Sequence, residues 1–316
     1  MARALAPQKG LFAGIPKTRL GRQEAMWGLI FLSPWLFGLI FLYAMPMLAS
    51  LVFSFTDLNP INASEAKFIG IDNYLRLLND PDIAASAMVS IKFGLLAVPL
   101  RIISAMLAAL LVNARRLSGK TVFRILFYLP AMIPAIGAGL VFSRLFNPTT
   151  GWINALIGLL GIDGPNWFGD PKVIVWGLVL LALWALGPGM IQDIAAFQNV
   201  PTELYEAAKV DGANPFYQFF RITLPLISNV IFFQILFGFI FALQYFEVAY
   251  LLGDGRGNPD GATMFYNLLL YRNAWVFNDM GYAAAMAWVL FIVACVVTIL
   301  LFRSQKRWVF YAADRD

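Results

Sequence analysis

The chain of 316 residues is 60% hydrophobic and 13% charged, and its mean hydropathy of +0.72 lies outside the range of a soluble domain. It contains no histidine and one cysteine, Cys295, which excludes His-based acid/base catalysis, a Cys/His zinc site and an internal disulfide. The net charge of +5 does not indicate a nucleic-acid partner, because the basic residues lie beside apolar runs and form no face with interleaved aromatics.

Six apolar runs are long enough to cross a bilayer, which takes about 20 helical residues each. The first extends well past the roughly 7–15 apolar residues of a signal peptide, so we expect it to be retained. The sequence therefore predicts an all-α membrane protein with six transmembrane helices. The runs lie near 27–54, 87–113, 122–146, 173–198, 226–252 and 283–302.

Lys and Arg predict the orientation, because cytoplasmic segments of membrane proteins are enriched in these residues. We expect a basic cytoplasmic N-terminal segment at 1–25, a six-span domain at 26–303 and a cytoplasmic tail at 304–316, so that both termini and residues 199–225 face the cytoplasm. The opposite loops carry mainly acidic residues, as expected of the outer side. The basic residues are Arg3, Lys9, Lys17, Arg19, Arg22, Arg115, Arg116, Lys120, Arg303, Lys306 and Arg307.

Four ionisable residues fall inside or near the predicted spans, namely Lys92, Arg101, Asp193 and Glu247. Each costs roughly 2.5–3.5 kcal/mol at the middle of a span on an insertion scale, so something must offset them. Two explanations stay open, which are ion pairs between spans, such as Arg101 with Asp193, and side chains that line a wet solute path. For Lys92, near the end of its span, we expect the ammonium to extend to the interface.

A short polar insertion at 199–225 separates the fourth and fifth runs. Pro201 suits the first position of a helix, and Gly212 can adopt the left-handed conformation that ends one. Asn214-Pro215 supplies a cap and a first-turn proline for a second helix, which we expect to stop before Pro225. The insertion is therefore predicted to form two short helices that meet at a glycine and project from the membrane.

Within this insertion, Glu206-Ala207-Ala208 and Gly212 form the pattern E-A-A-x-x-x-G, and I-x-L-P follows at 222–225. The pattern resembles the cytoplasmic coupling motif of permeases of ABC importers that an external binding protein feeds. Further landmarks resemble the sugar-permease, MalF-like subfamily of these proteins, and they occur in the expected order. They are Phe68–Tyr74 (F-x-G-x-x-N-Y), Arg124–Pro130, Phe146–Pro148, Gly151–Asn154 and Tyr282–Ala285.

The resemblance implies an ABC importer type I permease (MetI-like) architecture with a cytoplasmic coupling helix, in the bacterial cytoplasmic (inner) membrane. It implies four partners besides membrane lipid: a second, homologous permease, two ATPase subunits and an extracytoplasmic solute-binding protein. The chain then binds no cofactor itself, since ATP and Mg belong to the ATPase subunits, and it has no catalytic or metal-binding residue. The residues that couple to an ATPase subunit are expected to be Tyr205, Glu206, Ala207, Ala208, Asp211, Gly212 and Ala213.

The implied solute is a carbohydrate, either a sugar, an oligosaccharide or a glycerol phosphate. Amides and carboxylates suit sugar hydroxyls, which donate and accept at once, and aromatic rings cover apolar sugar faces. An acid at Asp193 departs from the family pattern, in which this segment is apolar. The polar residues of the fourth and fifth spans that we expect to line the substrate path are Gln192, Asp193, Gln244, Tyr245 and Glu247.

The alternative is a secondary solute transporter driven by an ion gradient. It would have inverted halves whose broken spans meet at the middle of the membrane. We find no convincing internal repeat between residues 27–146 and 173–302, so the importer is the leading interpretation.

Overall fold

The structure, a computed structural model, describes residues 18–114 and 117–310. Over these ranges the fold is helical, and the only β-type pairing is an isolated bridge between Thr56 and Phe68. Several residues that enter the orientation prediction lie outside the described ranges. They are Arg3, Lys9, Lys17, Arg115, Arg116 and the end of the tail at 311–316.

The described part of the chain contains six membrane-spanning units. Four are helices long and apolar enough to span a bilayer without a sharp bend, and two are pairs of helices bent at a break. The predicted all-α fold with six spans is confirmed when each bent pair counts as one span. The first unit joins α1 (Arg19–Gly38) to α2 (Met45–Phe53) through π-helical turns, and the last is α16 (Met280–Gln305).

The helices between them follow in chain order. They are α3 (Asp72–Asn79), α4 (Pro81–Asn113), α5 (Lys120–Tyr128), α6 (Ala135–Leu145), α7 (Trp152–Gly158), α8 (Ile174–Trp184), α9 (Gly187–Gln198), α10 (Thr202–Val210), α11 (Pro215–Gln218), α12 (Leu224–Leu226), α13 (Ser228–Leu243), α14 (Glu247–Leu252) and α15 (Tyr266–Tyr271). A 3₁₀ turn at Leu129–Met132 extends α5, and π-helical turns follow α11 at Phe219–Thr223 and α15 at Arg272–Val276.

The third and fourth spans are broken, which the sequence analysis did not predict. The third bends by 100° between Met132 and Ala135, where Ile133 and Pro134 are extended. The fourth bends by 51° between α8 and α9, where Pro188 occupies the first turn of the new helix. Proline removes a main-chain donor and clashes with the preceding turn, so the prolines are the physical cause of both breaks.

The second span, α4, lies at the centre of the bundle and packs against α8, α9, α13 and α15. Small residues make this close approach possible, as is usual between membrane helices. A Cβ built on Gly238 of α13 would lie 2.8 Å from a methyl of Val98, and one on Gly94 would lie 3.2 Å from the Cβ of Ala242. Helix α4 is therefore the central helix against which the fourth and fifth spans pack.

The first span lies at the periphery and buries none of its residues within the described chain. Its C-terminal end is held by α3, where the Asn73 amide donates to the carbonyls of Ser54 and Thr56, both at 2.9 Å. The Tyr74 hydroxyl lies 2.8 Å from the Ser54 hydroxyl. The N-Y of the F-x-G-x-x-N-Y landmark thus fixes the end of the first span.

Candidate functional site

The projection at 201–227 begins with α10, and its end has the geometry of a Schellman motif. Gly212 has φ +76°, its amide donates to the Lys209 carbonyl at 3.0 Å, and the Ala213 amide donates to the Ala208 carbonyl at 2.8 Å. These two bonds satisfy carbonyls that the helix end leaves free. Gly212 has the left-handed conformation that the sequence predicted, and a Cβ built on it would have open space around it.

The second half of the projection differs from the prediction at its far end. Asn214 caps α11 as expected, and its side-chain oxygen accepts from the Tyr217 amide at 2.8 Å. The helix does not stop before Pro225, however, but continues through π-helical turns into α12. Pro225 then lies in the first turn of α12, directly after the π-helical turns. Pro201 directly precedes α10 and is not its first helical residue.

Tyr205 joins the two halves of the projection, since its hydroxyl lies 2.8 Å from the Thr223 hydroxyl. Its ring packs on a cluster of buried residues that includes Phe197, Val200 and Ile227. The contact therefore connects α10 with the ends of the fourth and fifth spans. Of the other predicted coupling residues, Ala208 and Ala213 are half-buried, and the exposed ones are Glu206, Ala207, Asp211 and Gly212.

The projection also exposes apolar side chains that the sequence analysis did not single out. Val210 is 89% exposed and Phe216 is 73% exposed. The ring of Phe216 contacts that of Phe220, at 4.6 Å between ring centroids, and most of its surface stays exposed. A surface of this kind in a predicted aqueous region is typical of a protein contact. The full apolar patch consists of Leu204, Val210, Phe216, Tyr217 and Phe220.

A cavity of ≈ 550 Å³ lies in the middle of the bundle, where the spans are interrupted. The interruptions of the third and fourth spans contribute Ile133 and Ala185 to its wall. The fifth span is also interrupted, because residues 244–246 between α13 and α14 are not helical. The lining of the cavity is mostly apolar. The lining side chains that bear polar atoms are Arg101, Trp184, Gln192, Gln234 and Tyr245.

Arg101 of α4 reaches the cavity from the middle of the second span. Its guanidinium donates to the carbonyl of Ala185, in the interruption of the fourth span, at a long 3.4 Å. The expected ion pair with Asp193 is wrong, because the only salt bridge between described residues joins Arg76 to Asp279. The sequence revealed the need for a partner, but the partner depends on how the helices pack.

Asp193 is fully buried beside the cavity and does not line it. One carboxylate oxygen accepts from the Gln234 amide at 2.8 Å, and the other has no hydrogen-bond partner among the described residues. Asp193 thus orients Gln234, which does line the cavity. The sequence analysis missed Gln234, although an amide in the middle of the apolar run of the fifth span was a signal for it.

The remaining predicted path residues have different environments. Gln192 lines the cavity, and so does Tyr245, whose ring packs 4.4 Å from Phe93 between centroids and whose buried hydroxyl has no partner among the described residues. Gln244 and Glu247 are exposed and lie outside the cavity lining. The structure therefore brings two of the five residues into the wall, with Asp193 directly behind it.

The sequence of the chain also matches a known protein family. Residues 101–311 match the family described as binding-protein-dependent transport system inner membrane component. The match covers more than half of the chain, and the chain therefore belongs to this family. Membership confirms the predicted class, a multi-pass membrane subunit of a transport system and not an enzyme, and it disfavours the ion-gradient-driven alternative.

Individual relatives agree with the family. The chain is 36% identical over 302 residues to the "Probable ABC transporter permease protein YesP" of Bacillus subtilis strain 168, with 95% of this chain and 97% of that protein covered. It is 32% identical over 272 residues to the arabinooligosaccharides transport system permease protein AraP of Halalkalibacterium halodurans, with 85% and 84% covered.

A solved structure has the same fold. It is a chain of the crystal structure of a bacterial ABC transporter involved in the import of the acidic polysaccharide alginate. The TM-score is 0.77 at 22% identity, over 90% of this chain and 96% of that one. The likeness supports the six-span architecture described above.

Proposed function

We propose that this chain is the membrane-spanning subunit of an ATP-driven importer that moves a carbohydrate inward from a solute-binding protein. It forms half of the translocation path, and a second, homologous permease forms the other half. Two ATPase subunits hold ATP and Mg, and this chain holds neither. The arabinooligosaccharide permease, which is 32% identical, supports the carbohydrate class.

The observation that carries the carbohydrate assignment is the lining of the central cavity. The two amides, Gln192 and Gln234, can each donate and accept, which matches the hydroxyls of a sugar. Trp184 and Tyr245 provide aromatic surface for the apolar faces of a sugar ring. The volume of ≈ 550 Å³ falls within the range of about 300–1,000 Å³ of pockets for small molecules.

The projection supplies the coupling to ATP hydrolysis. Its exposed residues, with Val210 and Phe216 at the most exposed positions, dock in a cleft of an ATPase subunit on the cytoplasmic side. The bond between Tyr205 and Thr223 makes the two halves of the projection move together. Because α9 carries Gln192 and α13 carries Gln234, a displacement of the projection reaches two sides of the cavity at once.

The localisation follows from the same arrangement. The projection must face the cytoplasm to meet an ATPase, and six spans then put both termini in the cytoplasm. The chain is a component of the bacterial cytoplasmic membrane, with the binding protein on the opposite side. Cysteine labelling of Glu206→Cys and Leu160→Cys in intact cells tests this topology, since only the second should react with a membrane-impermeant maleimide.

The function is tested on the complex that co-purifies with the full chain, reconstituted in proteoliposomes with its binding protein. A panel of neutral and acidic oligosaccharides and glycerol phosphates is added, and ATP hydrolysis and solute uptake are measured. We expect at least one saccharide to stimulate both. A complex that contains no ATPase subunit, or one that no carbohydrate stimulates, would contradict the proposal.

A further inference from the structure

Among the residues that the structure describes, Arg101 is the only charged one that lines the central cavity. It lies in the middle of α4, far from both ends of the second span, where a charge costs roughly 2.5–3.5 kcal/mol on an insertion scale unless water or a partner stabilises it. No carboxylate of a described residue lies within 4.0 Å of its guanidinium. The second span therefore carries a cation that the described part of the chain does not neutralise.

Most of the hydrogen-bond donors of Arg101 also have no acceptor among the described residues. The guanidinium has five N–H donors in a planar fork that fits carboxylates in a bidentate manner. One of them donates to the Ala185 carbonyl, and the distance of 3.4 Å makes this a weak bond. The rest of the fork has no acceptor among the described residues, although it lies at the cavity wall.

The nearby acid does not replace the missing partner. Asp193 is fully buried and absent from the cavity lining, and its one engaged oxygen accepts from Gln234. The wall formed by the described residues consequently presents the positive charge of Arg101 and no negative charge. A low-dielectric cleft lined by one sign of charge concentrates ligands of the opposite sign.

Tyr245 contributes an aromatic ring to the same wall. The ring is fixed between Phe93 and Phe265, with centroids 4.4 Å and 4.9 Å away, and its hydroxyl is buried without access to the cavity. An aromatic face suits the apolar face of a sugar ring. The wall therefore combines the guanidinium of Arg101 with an aromatic surface, which favours a saccharide that carries acceptor oxygens.

We propose that Arg101 binds a carboxylate of the transported saccharide, and that the substrate is an acidic oligosaccharide such as one containing uronic acids. This inference rests on the proposed carbohydrate-import function and narrows its substrate class. Arg101 is the residue that discriminates an acidic saccharide from a neutral one of the same length.

The test compares matched saccharides. Uronic-acid di- and trisaccharides are each paired with the carboxyl-reduced form, which has the same length and linkages and no charge. The reconstituted complex receives its binding protein already saturated with each saccharide, so that the affinity of the binding protein does not decide the result. We expect the acidic member of at least one pair to be taken up about tenfold faster than its neutral form.

Variants then assign the preference to Arg101. Arg101→Gln should lower uptake of the acidic member about tenfold and leave its neutral form nearly unchanged, whereas Arg101→Lys should retain part of the preference because the charge is kept. Lys92→Gln is the matched control, since Lys92 is an exposed cation of the same helix outside the cavity lining. It should change neither rate.

Two results would overturn the inference while the proposed function stands: a wild-type complex that prefers the neutral members, or an Arg101→Gln complex that loses uptake of both members equally. The first of these does not depend on whether the variant assembles. A complex that responds to no saccharide, acidic or neutral, would overturn the proposed function together with this inference.

Discussion

The projection and the cavity each carry side chains whose polarity is opposite to that of their surroundings. The projection, in a predicted aqueous region, exposes apolar side chains such as Val210 and Phe216. The cavity, in the middle of the membrane domain, is lined by the guanidinium of Arg101, which has no ion-pair partner among the described residues. Exposed apolar surface and unpaired buried polar groups both cost free energy. The exposed apolar surface of the projection is therefore typical of a protein-binding element, and the lining of the cavity is typical of a site for a polar solute.

The largest effect is expected from breaking the projection at its glycine. Gly212→Asp forces a side chain into a left-handed conformation, at a cost on the order of 1–3 kcal/mol, and adds a charge to the docking surface. We expect saccharide-stimulated ATP hydrolysis to fall at least a hundredfold while the protein still reaches the membrane. Gly161→Asp is the control, because Gly161 has φ +73° and open space around it on a different loop. Equal losses in both variants would contradict a specific role for Gly212.

A smaller effect is expected from the apolar surface of the projection. Phe216→Ala removes an exposed ring that contributes little to the fold, so the chain should remain stable while the ATPase subunit dissociates about tenfold more readily. The amount of ATPase retained during purification measures this. Phe31→Ala is the matched control, since Phe31 of the first span is 80% exposed. Retention that is unchanged by Phe216→Ala would count against the patch as a contact.

Two substitutions of Asp193, which lies behind the cavity wall, distinguish the role of its charge from that of its hydrogen bond to Gln234. Asp193→Leu leaves the Gln234 amide without its acceptor and should destabilise the complex by about 1–3 kcal/mol. Asp193→Asn keeps an acceptor oxygen and should retain most of the stability and uptake. Thermal unfolding and saccharide uptake of the two complexes test this. If Asn were as damaging as Leu, the charge of Asp193 and not its hydrogen bond would be the essential feature.

The smallest effect is expected from the bond between the two halves of the projection. Tyr205→Phe removes the 2.8 Å contact with Thr223 and should cost about 0.5–1.5 kcal/mol. Because this contact makes the projection move as a unit, we expect fewer saccharides carried per ATP hydrolysed. Thr223→Val should have a similar effect, and the double variant should add little to either. Strictly additive losses would exclude coupling through this bond.

The two regions differ in how far the sequence predicted them. The projection follows from local signals, since a glycine ends α10 and Asn214 caps α11 within a few residues. The π-helical turns that carry the chain past Pro225 were missed, because proline was taken as a stop when it also fits a first turn. The six spans could also be predicted from the sequence, because the length of an apolar run is enough to identify a span.

The cavity was much less predictable because its wall is assembled from residues far apart in the chain. The prolines that break the third and fourth spans were visible, but a proline can kink a helix or end it. The sequence identified Arg101 and Asp193 as residues in need of partners and paired them wrongly. Gln234, 41 residues beyond Asp193, could be recognised as its partner only once the fifth span was packed beside the fourth.

The peripheral first span has a mechanical consequence. It is joined to the rest of the described chain near its C-terminal end, through α3 and through a 3.2 Å hydrogen bond from the Trp288 indole to the Ser50 hydroxyl, and it buries no residue along its length. Among the described helices it packs mainly on α16, and not on α4, α9 or α13, which line the cavity. A movement of these cavity-lining helices therefore leaves most of the first span in place and in contact with lipid.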